Sequence, residues 1–271
     1  MHRFGPYKLF RKLNPLGQWE RWIALHEQND TDHVVYRHAQ SLDAYERRRI
    51  LEIVAKVSRP NHPHLLPIDA YSFDETGHLC LVSNYTGNQE GLVPIAHLLA
   101  RRSGRLEVPE VARCVEHLLE AIAHARTHGV WVETIDPDRV LIDRRGSVLY
   151  ELYGLVNPRV CENVPGPVAD EIRAIAEIAA WLLTGIEPRV APVSVTKVAG
   201  RQAKAWESWI AAAIDPLGGF ERIEDALSAM PTRDGPPIST GAPQDARGPA
   251  PLNAVMRRFR RETNGHKNQA R

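Results

Sequence analysis

The chain has 271 residues, 34 of them Lys or Arg and 33 Asp or Glu, and a formal net charge of +1. That balance excludes a nucleic-acid coat and a polyanionic solvating protein. With 43% hydrophobic and 25% charged residues, the usage is that of an ordinary globular protein, large enough for one big domain or two lobes.

No run of about 18 apolar residues occurs, so no integral membrane segment is expected. The opening Met1–Pro6 lacks the apolar stretch of a signal peptide. Cys80, Cys114 and Cys161 lie far apart without a CxxC. They read as small buried hydrophobes, and a reducing cytoplasmic setting is the expectation.

The N-terminal third alternates short apolar runs with turn residues. Trp22–Leu25 and His33–Arg37 read as two strands of a hairpin through Asn29-Asp30-Thr31-Asp32. Residues 42–57 are helical by pattern, with Ile50, Ile53, Val54 and Val57 on one side and no proline before Pro60. Strands are expected near 65–73 and 78–85, around Glu75-Thr76-Gly77. Pro109 suits a helix start, Val111, Val115, Leu118 and Ile122 mark its buried face, and Gly129 stops it. Val130–Asp143 should be short and extended around Asp136-Pro137, and 147–155 a strand pair or hairpin arm. Residues 169–184 form a helix apolar nearly all round, closed by Gly185, which belongs in the middle of a domain. Residues 201–214 and 220–229 are two more helices. Strands early and helices late make an α+β chain suited to two lobes.

Residues 231–271 hold eight basic and three acidic residues. The Pro/Gly/Ser-rich stretch from Pro231 to Pro251 buries too little to offset its ordering entropy, and is expected to be a disordered linker at the start of a disordered basic tail over 231–271. Within it, 251–264 can form a short helix, with Leu252, Val255, Met256 and Phe259 at i, i+3, i+4 and i+7. Four arginines beside those residues make a weak anchor for an anionic membrane surface or a partner protein.

Several segments carry a common resemblance. Gly129-Val130-Trp131-Val132-Glu133-Thr134-Ile135-Asp136-Pro137-Asp138-Arg139-Val140-Leu141-Ile142-Asp143 is similar to the kinase catalytic loop G-[IV]-x-H-R-D-[IL]-K-P-x-N-[IV]-L-[IL]-D. Leu152-Tyr153-Gly154-Leu155 sits where kinases have D-F-G-L, and His62-Pro63-His64-Leu65-Leu66 where they have H-P-N-[IV]-[IV]. Glu171–Ala176 and Leu182-Leu183-Thr184-Gly185 look like the helix that begins D-[IV]-[WY]-[AS] and ends LLTG. Over residues 7–230 the chain resembles a bacterial Ser/Thr protein kinase. The implied fold is bilobal, with a small β-rich N-lobe (7–85) and a helical, shortened C-lobe (86–230).

The resemblance also says what has changed. Phosphoryl transfer needs positioned phosphates, metal ligands and a base. The glycine-rich loop is reduced to Leu13–Glu20 with one glycine, Gly17. The strand lysine aligns with Arg37, whose helix partner would be Glu46 or Glu52. The base aspartate aligns with Thr134, whose hydroxyl takes no proton near neutral pH. The phosphate-contacting lysine aligns with Asp136, the metal-binding asparagine with Arg139 and the DFG aspartate with Leu152, which removes the oxygen ligands that hard cations require. Glu151 precedes Leu152 on an expected strand and should therefore point away from the cleft. Val164-Pro165-Gly166-Pro167 lacks the glutamate that ends a kinase activation segment.

This implies a degenerate kinase, a pseudokinase, acting as a regulatory scaffold for a protein partner such as a kinase or another signalling protein. No cofactor, metal or nucleic acid is expected. At most, a vestigial cleft of Arg37, Gly17, Ser83 and Tyr85 binds ATP weakly without Mg²⁺. The alternative is a weakly active phosphotransferase with displaced carboxylates. His62 and His64 would share a face on a strand, but their place in the H-P-x loop makes them turn residues. HExxH, EF-hand and G-x-S-x-G patterns are absent.

Overall fold

The first half of the chain builds an antiparallel sheet. In the computed structural model, which describes residues 3–84, 92–101, 104–131, 135–143, 145–155, 167–187, 194–215 and 219–231, β1 (Arg3–Phe4), β2 (Tyr7–Leu16), β3 (Trp19–His26) and β4 (Thr31–Ser41) follow one another as neighbours. β5 (Ala70–Phe73) and β6 (His78–Asn84) complete six strands in the order β1-β2-β3-β4-β6-β5. Register runs from His26↔Thr31 to Trp19↔His38 between β3 and β4, and from His33↔Asn84 to Arg37↔Cys80 between β4 and β6.

Alternation splits the sheet into two faces. Val34, Tyr36, Leu79 and Leu81 face one way, while Val35, Cys80 and Val82 face the other with Tyr7, Leu9 and Ala24. The first face is covered by α1 (Ala44–Val57). Asp43 caps α1 through a capping box with Glu46, which satisfies two otherwise orphan backbone donors. Ile50 and Val54 then lie one turn apart on its buried side.

The rest is mainly helical. A three-stranded sheet of β7 (Val93–Pro94), β8 (Val140–Ile142) and β9 (Val148–Tyr150) lies among α2 (Ile95–Arg101), α3 (Val108–Thr127) and α4 (Val168–Thr184). α5 (Val195–Ala199), α6 (Lys204–Ile214) and α7 (Ile223–Ser228) follow. α4 is the apolar centre, with Ile172, Ile175, Leu182 and Leu183 fully buried. It ends at Gly185 in the left-handed region (φ 74°), where a side chain would strike the backbone of Gly104.

Three expectations change. The strand expected over 65–73 begins only at Ala70, because Leu65 and Leu66 pair with Tyr150 of β9 instead. Val130–Asp143 is not extended throughout: Pro137–Arg139 is a 3₁₀ turn capped by Asp136. The arm expected over 147–155 is a strand only to Tyr150, after which residues 151–154 turn. The basic tail, its 251–264 helix and the Val164–Gly166 stretch lie outside the described residues. Among the described residues no helix is long and apolar enough to cross a membrane.

Candidate functional site

The groove between the six-stranded sheet and the helical lobe is built from four places in the chain: the β2–β3 turn, the inward face of β4, the 3₁₀ turn before β8 and the turn after β9. Gly17 makes the β2–β3 turn in the left-handed region (φ 56°). A Cβ built there would lie 3.7 Å from Nη2 of Arg139, so the arginine reaches directly under the turn. Arg139 is 2% exposed. Its Nε donates to Oδ2 of Asp136 at 3.2 Å and its Nη1 to the Leu155 carbonyl at 3.3 Å. Asp136 also accepts from the Asp138 amide, which closes the 3₁₀ turn that aims Arg139 inward.

Glu151 faces into this groove, contrary to the expectation from strand alternation. β9 ends at Tyr150, and the following turn, with Leu152 at φ 51°, rotates residue 151 toward the sheet. Its amide donates to the Arg139 carbonyl at 2.8 Å. Its carboxylate accepts from the Tyr36 hydroxyl at 2.8 Å and from Nη1 of Arg21 at 3.1 Å. Burial pushes the Glu151 carboxyl above its ordinary range, against the opposing pull of Arg21, the Tyr36 hydrogen bond and Arg139. Burial, and then the negative charge of Glu151, push the Tyr36 phenol well above its ordinary value.

Arg37 does not take part. Adjacent strand residues face opposite sides, and Tyr36 occupies the inward position. Arg37 points to the outer face, where its Nε donates to Asp74 at 2.7 Å and its Nη1 lies 3.5 Å from Glu20. Glu46 serves the α1 cap and Glu52 is exposed, so the expected ion pair across the groove is replaced by one on the sheet surface. Ser83 is fully buried and alternates with Leu79 and Leu81 on the groove side of β6. Leu152 is 1% exposed within an apolar cluster that includes Trp19 and Leu81. Thr134 and Tyr85 lie outside the described residues.

The structure brings Gly17, Asp136, Arg139 and Leu152 to one groove, adds Tyr36 and Arg21, which the sequence did not single out, and turns Glu151 the opposite way from the strand expectation. The run His33-Val34-Val35-Tyr36 is uniformly buried and gives no alternation to fix its register. Asp74-Glu75-Thr76 opposite Arg37 was the available signal, since that turn supplies the outer partner.

A second buried polar centre ties the turn after β9 to the helical core. Glu171, fully buried at the start of α4, accepts from the Tyr153 hydroxyl at 2.7 Å and pairs with Nε of Arg126 on α3.

No family model and no curated protein sequence matches the chain. Solved structures do. A crystal structure of the Mycobacterium tuberculosis PknI kinase domain is 19% identical, covers 84% of this chain and 96% of its own, and superposes with a TM-score of 0.68. A second crystal structure of that domain is 18% identical, with coverages of 83% and 94% and the same TM-score. The fold is that of a protein kinase domain.

The kinase resemblance implies a metal nucleotide in a groove of this kind. The donors present fit one poorly. Mg²⁺ takes oxygen ligands, but Leu152 offers none, the Arg139 guanidinium fills the space under the turn, and Glu151 is held by Tyr36 and Arg21. Among the described residues no three His, Cys, Asp or Glu side chains converge to hold a metal ion.

Proposed function

We propose that the chain is a catalytically silent kinase-like module, a pseudokinase, that serves as a regulatory scaffold for a protein partner of the signalling type, such as a kinase. One observation carries the reading: a buried arginine, fixed by Asp136 and the Leu155 carbonyl, stands under the β2–β3 turn where an active groove would need open space and anionic ligands. Trp19 and Tyr36, each 0% exposed, fill the neighbouring volume. Phosphoryl transfer works by positioning and charge stabilisation, and a filled groove offers neither.

The competing reading, a weakly active phosphotransferase with displaced carboxylates, has one observation in its favour. Glu151 faces the groove. A thermal-shift measurement with ATP, with and without Mg²⁺ or Mn²⁺, separates the two. A native-state ligand at 100 times its Kd stabilises by about 2.7 kcal/mol, so binding would be plain in the melting point. The scaffold reading expects no metal-dependent shift and no transfer of labelled phosphate. A metal-dependent rise with label transfer abolished by Glu151→Gln would replace it. The partner is sought by co-purification with the full chain and with a chain lacking residues 232–271. Recovery of no signalling protein with either would remove the scaffold role.

A further inference from the structure

Five histidines form a continuous column between α3 and the segment that follows α1. They come from two places: His62 and His64 from the segment between α1 and β5, and His117 and His124 from α3 with His128 as its C-cap. His64 stacks on His117 with ring centres 3.7 Å apart and planes within 16°. His62 touches both His64 (5.3 Å) and His124 (5.1 Å), and His124 touches His128 (4.7 Å). All five are half-buried.

One hydrogen bond calls for a neutral ring, that of His62, while those of His64 and His128 are made by either form. Nδ1 of His62 accepts from the His64 amide at 3.3 Å, a bond that a proton on that nitrogen would abolish. Nδ1 of His64 meets the Val148 carbonyl at 2.9 Å, and Nδ1 of His128 meets the His124 carbonyl at 3.0 Å, so in both rings this nitrogen is the donor. Nε2 of His124 is buried with no hydrogen-bond partner among the described residues. Burial, then His64 and His124, lower the proton affinity of His62.

Among the described residues, no ion pair is formed between His62, His64, His124 or His128 and a carboxylate. On α3, Arg113 is committed to the Arg145 carbonyl and Glu120 is exposed, while Glu116 has its own contacts. On α1, Lys56 lies over the Trp131 ring, and Arg59 beyond it is exposed and cationic. β9 contributes only the Val148 carbonyl.

The column clamps one short segment. Residues 62–66 are held to β9 by the Leu66 amide on the Tyr150 carbonyl and the Tyr150 amide on the His64 carbonyl, both 2.9 Å. That segment is the chain's way from α1 into β5. We propose that the histidine column is a proton-operated latch, closed when its rings are neutral and released from α3 and β9 when a second and third ring take protons. Adjacent imidazolium rings repel at these separations, and the released segment would carry the end of α1 with it.

The test is hydrogen exchange on the full chain at pH 7.5 and 5.5, with intrinsic exchange rates corrected. The latch predicts protection at Leu66 and Tyr150 falling at least tenfold at pH 5.5, while amides in the centre of α4 hold theirs. His64→Asn and His124→Gln, made singly, should each halve the loss on a logarithmic scale. His62→Gln is a third variant on the loop side, for use where either of the others unfolds. Unchanged protection at Leu66 and Tyr150, a loss shared equally by α4, or the same loss in the variants would overturn the latch.

Discussion

Replacing Glu151 tests how the groove is held. Truncation to alanine removes the acceptor of the Tyr36 hydroxyl and leaves Arg21 without its carboxylate partner. Breaking a buried pair in this way costs about 3–5 kcal/mol. For a unit of this size, residues 1–234, each kcal/mol moves the melting point by roughly 2–4 °C, so Glu151→Ala should lower it by about 6–20 °C. Glu151→Gln is different. Burial raises the carboxyl above its ordinary value, so the site is less unfavourable to an uncharged side chain than water is. Glutamine is uncharged and keeps an acceptor for Tyr36, and should cost no more than about 1.5 kcal/mol. The sign of the pH effect follows. With a raised native value, the folded protein holds a proton that the unfolded chain has released, so Glu151 adds stability at low pH that is lost as pH rises through the raised value. Calorimetric melting of all three proteins from pH 5 to 7.5 should show the Gln variant gaining on the wild type with rising pH. If Glu151→Gln is as damaging as Glu151→Ala at pH 7.5, the buried charge is the fixing element and the reasoning fails.

Arg139→Asn restores a kinase-like residue but leaves Leu152 without an oxygen ligand. It should cost about 2–4 kcal/mol in lost packing and hydrogen bonding and confer no metal-dependent shift with ATP, as read by thermal melting. On the outer face, against the opposing cost of burial, hydrogen bonds from Arg37, His78 and Thr76 hold the Asp74 carboxyl at about 2. A lowered native value means stability present above the ordinary carboxylate range and lost as pH falls toward 2. Asp74→Asn should therefore flatten the acid-unfolding curve below pH 4 while lowering stability at pH 7. Burial pushes the Cys80 thiol to about 12 and the Cys114 thiol higher. Thiolate is the nucleophile, so peptide mapping after alkylation of the native protein at pH 8 should find both cysteines unmodified, and labelling of either within minutes would contradict their burial.

Helices and lobes were readable because their apolar spacing is long and regular. Ile172, Ile175, Leu182 and Leu183 announce α4, and Val111 to Ile122 announce α3, whatever surrounds them. The groove was readable only in part, because its geometry depends on where a period ends. Strand alternation holds through Tyr150 and fails at Leu152, whose left-handed backbone no local pattern foretells for a leucine. One residue of register on β4 likewise decides whether Tyr36 or Arg37 faces inward, and a fully apolar approach to it leaves both open. α2 and α5 escaped for another reason: at seven and five residues they are shorter than a periodicity can declare.

The same arrangement bears on how the two lobes can move. One apolar cluster runs from Leu16, Trp19 and Leu81 of the sheet through Ile50 and Val54 of α1 to Leu149 and Leu152 beside the groove. Parting the sheet from the helical lobe would expose that cluster to water at about 25 cal/mol for each Å² uncovered. A groove that must admit and release a nucleotide has to be wet and separable. This one is joined by continuous packing and by the Tyr36–Glu151–Arg21 bonds across it. A second connection is the 62–66 segment, where two backbone hydrogen bonds to β9 and the His64–His117 stack hold the exit from α1. The segment is bonded to Tyr150, whose hydroxyl accepts from the Asp136 amide, so it borders the turn that carries the buried arginine. A surface that changes with α1 while the sheet stays packed on the helical lobe is what the proposed scaffold role would call for.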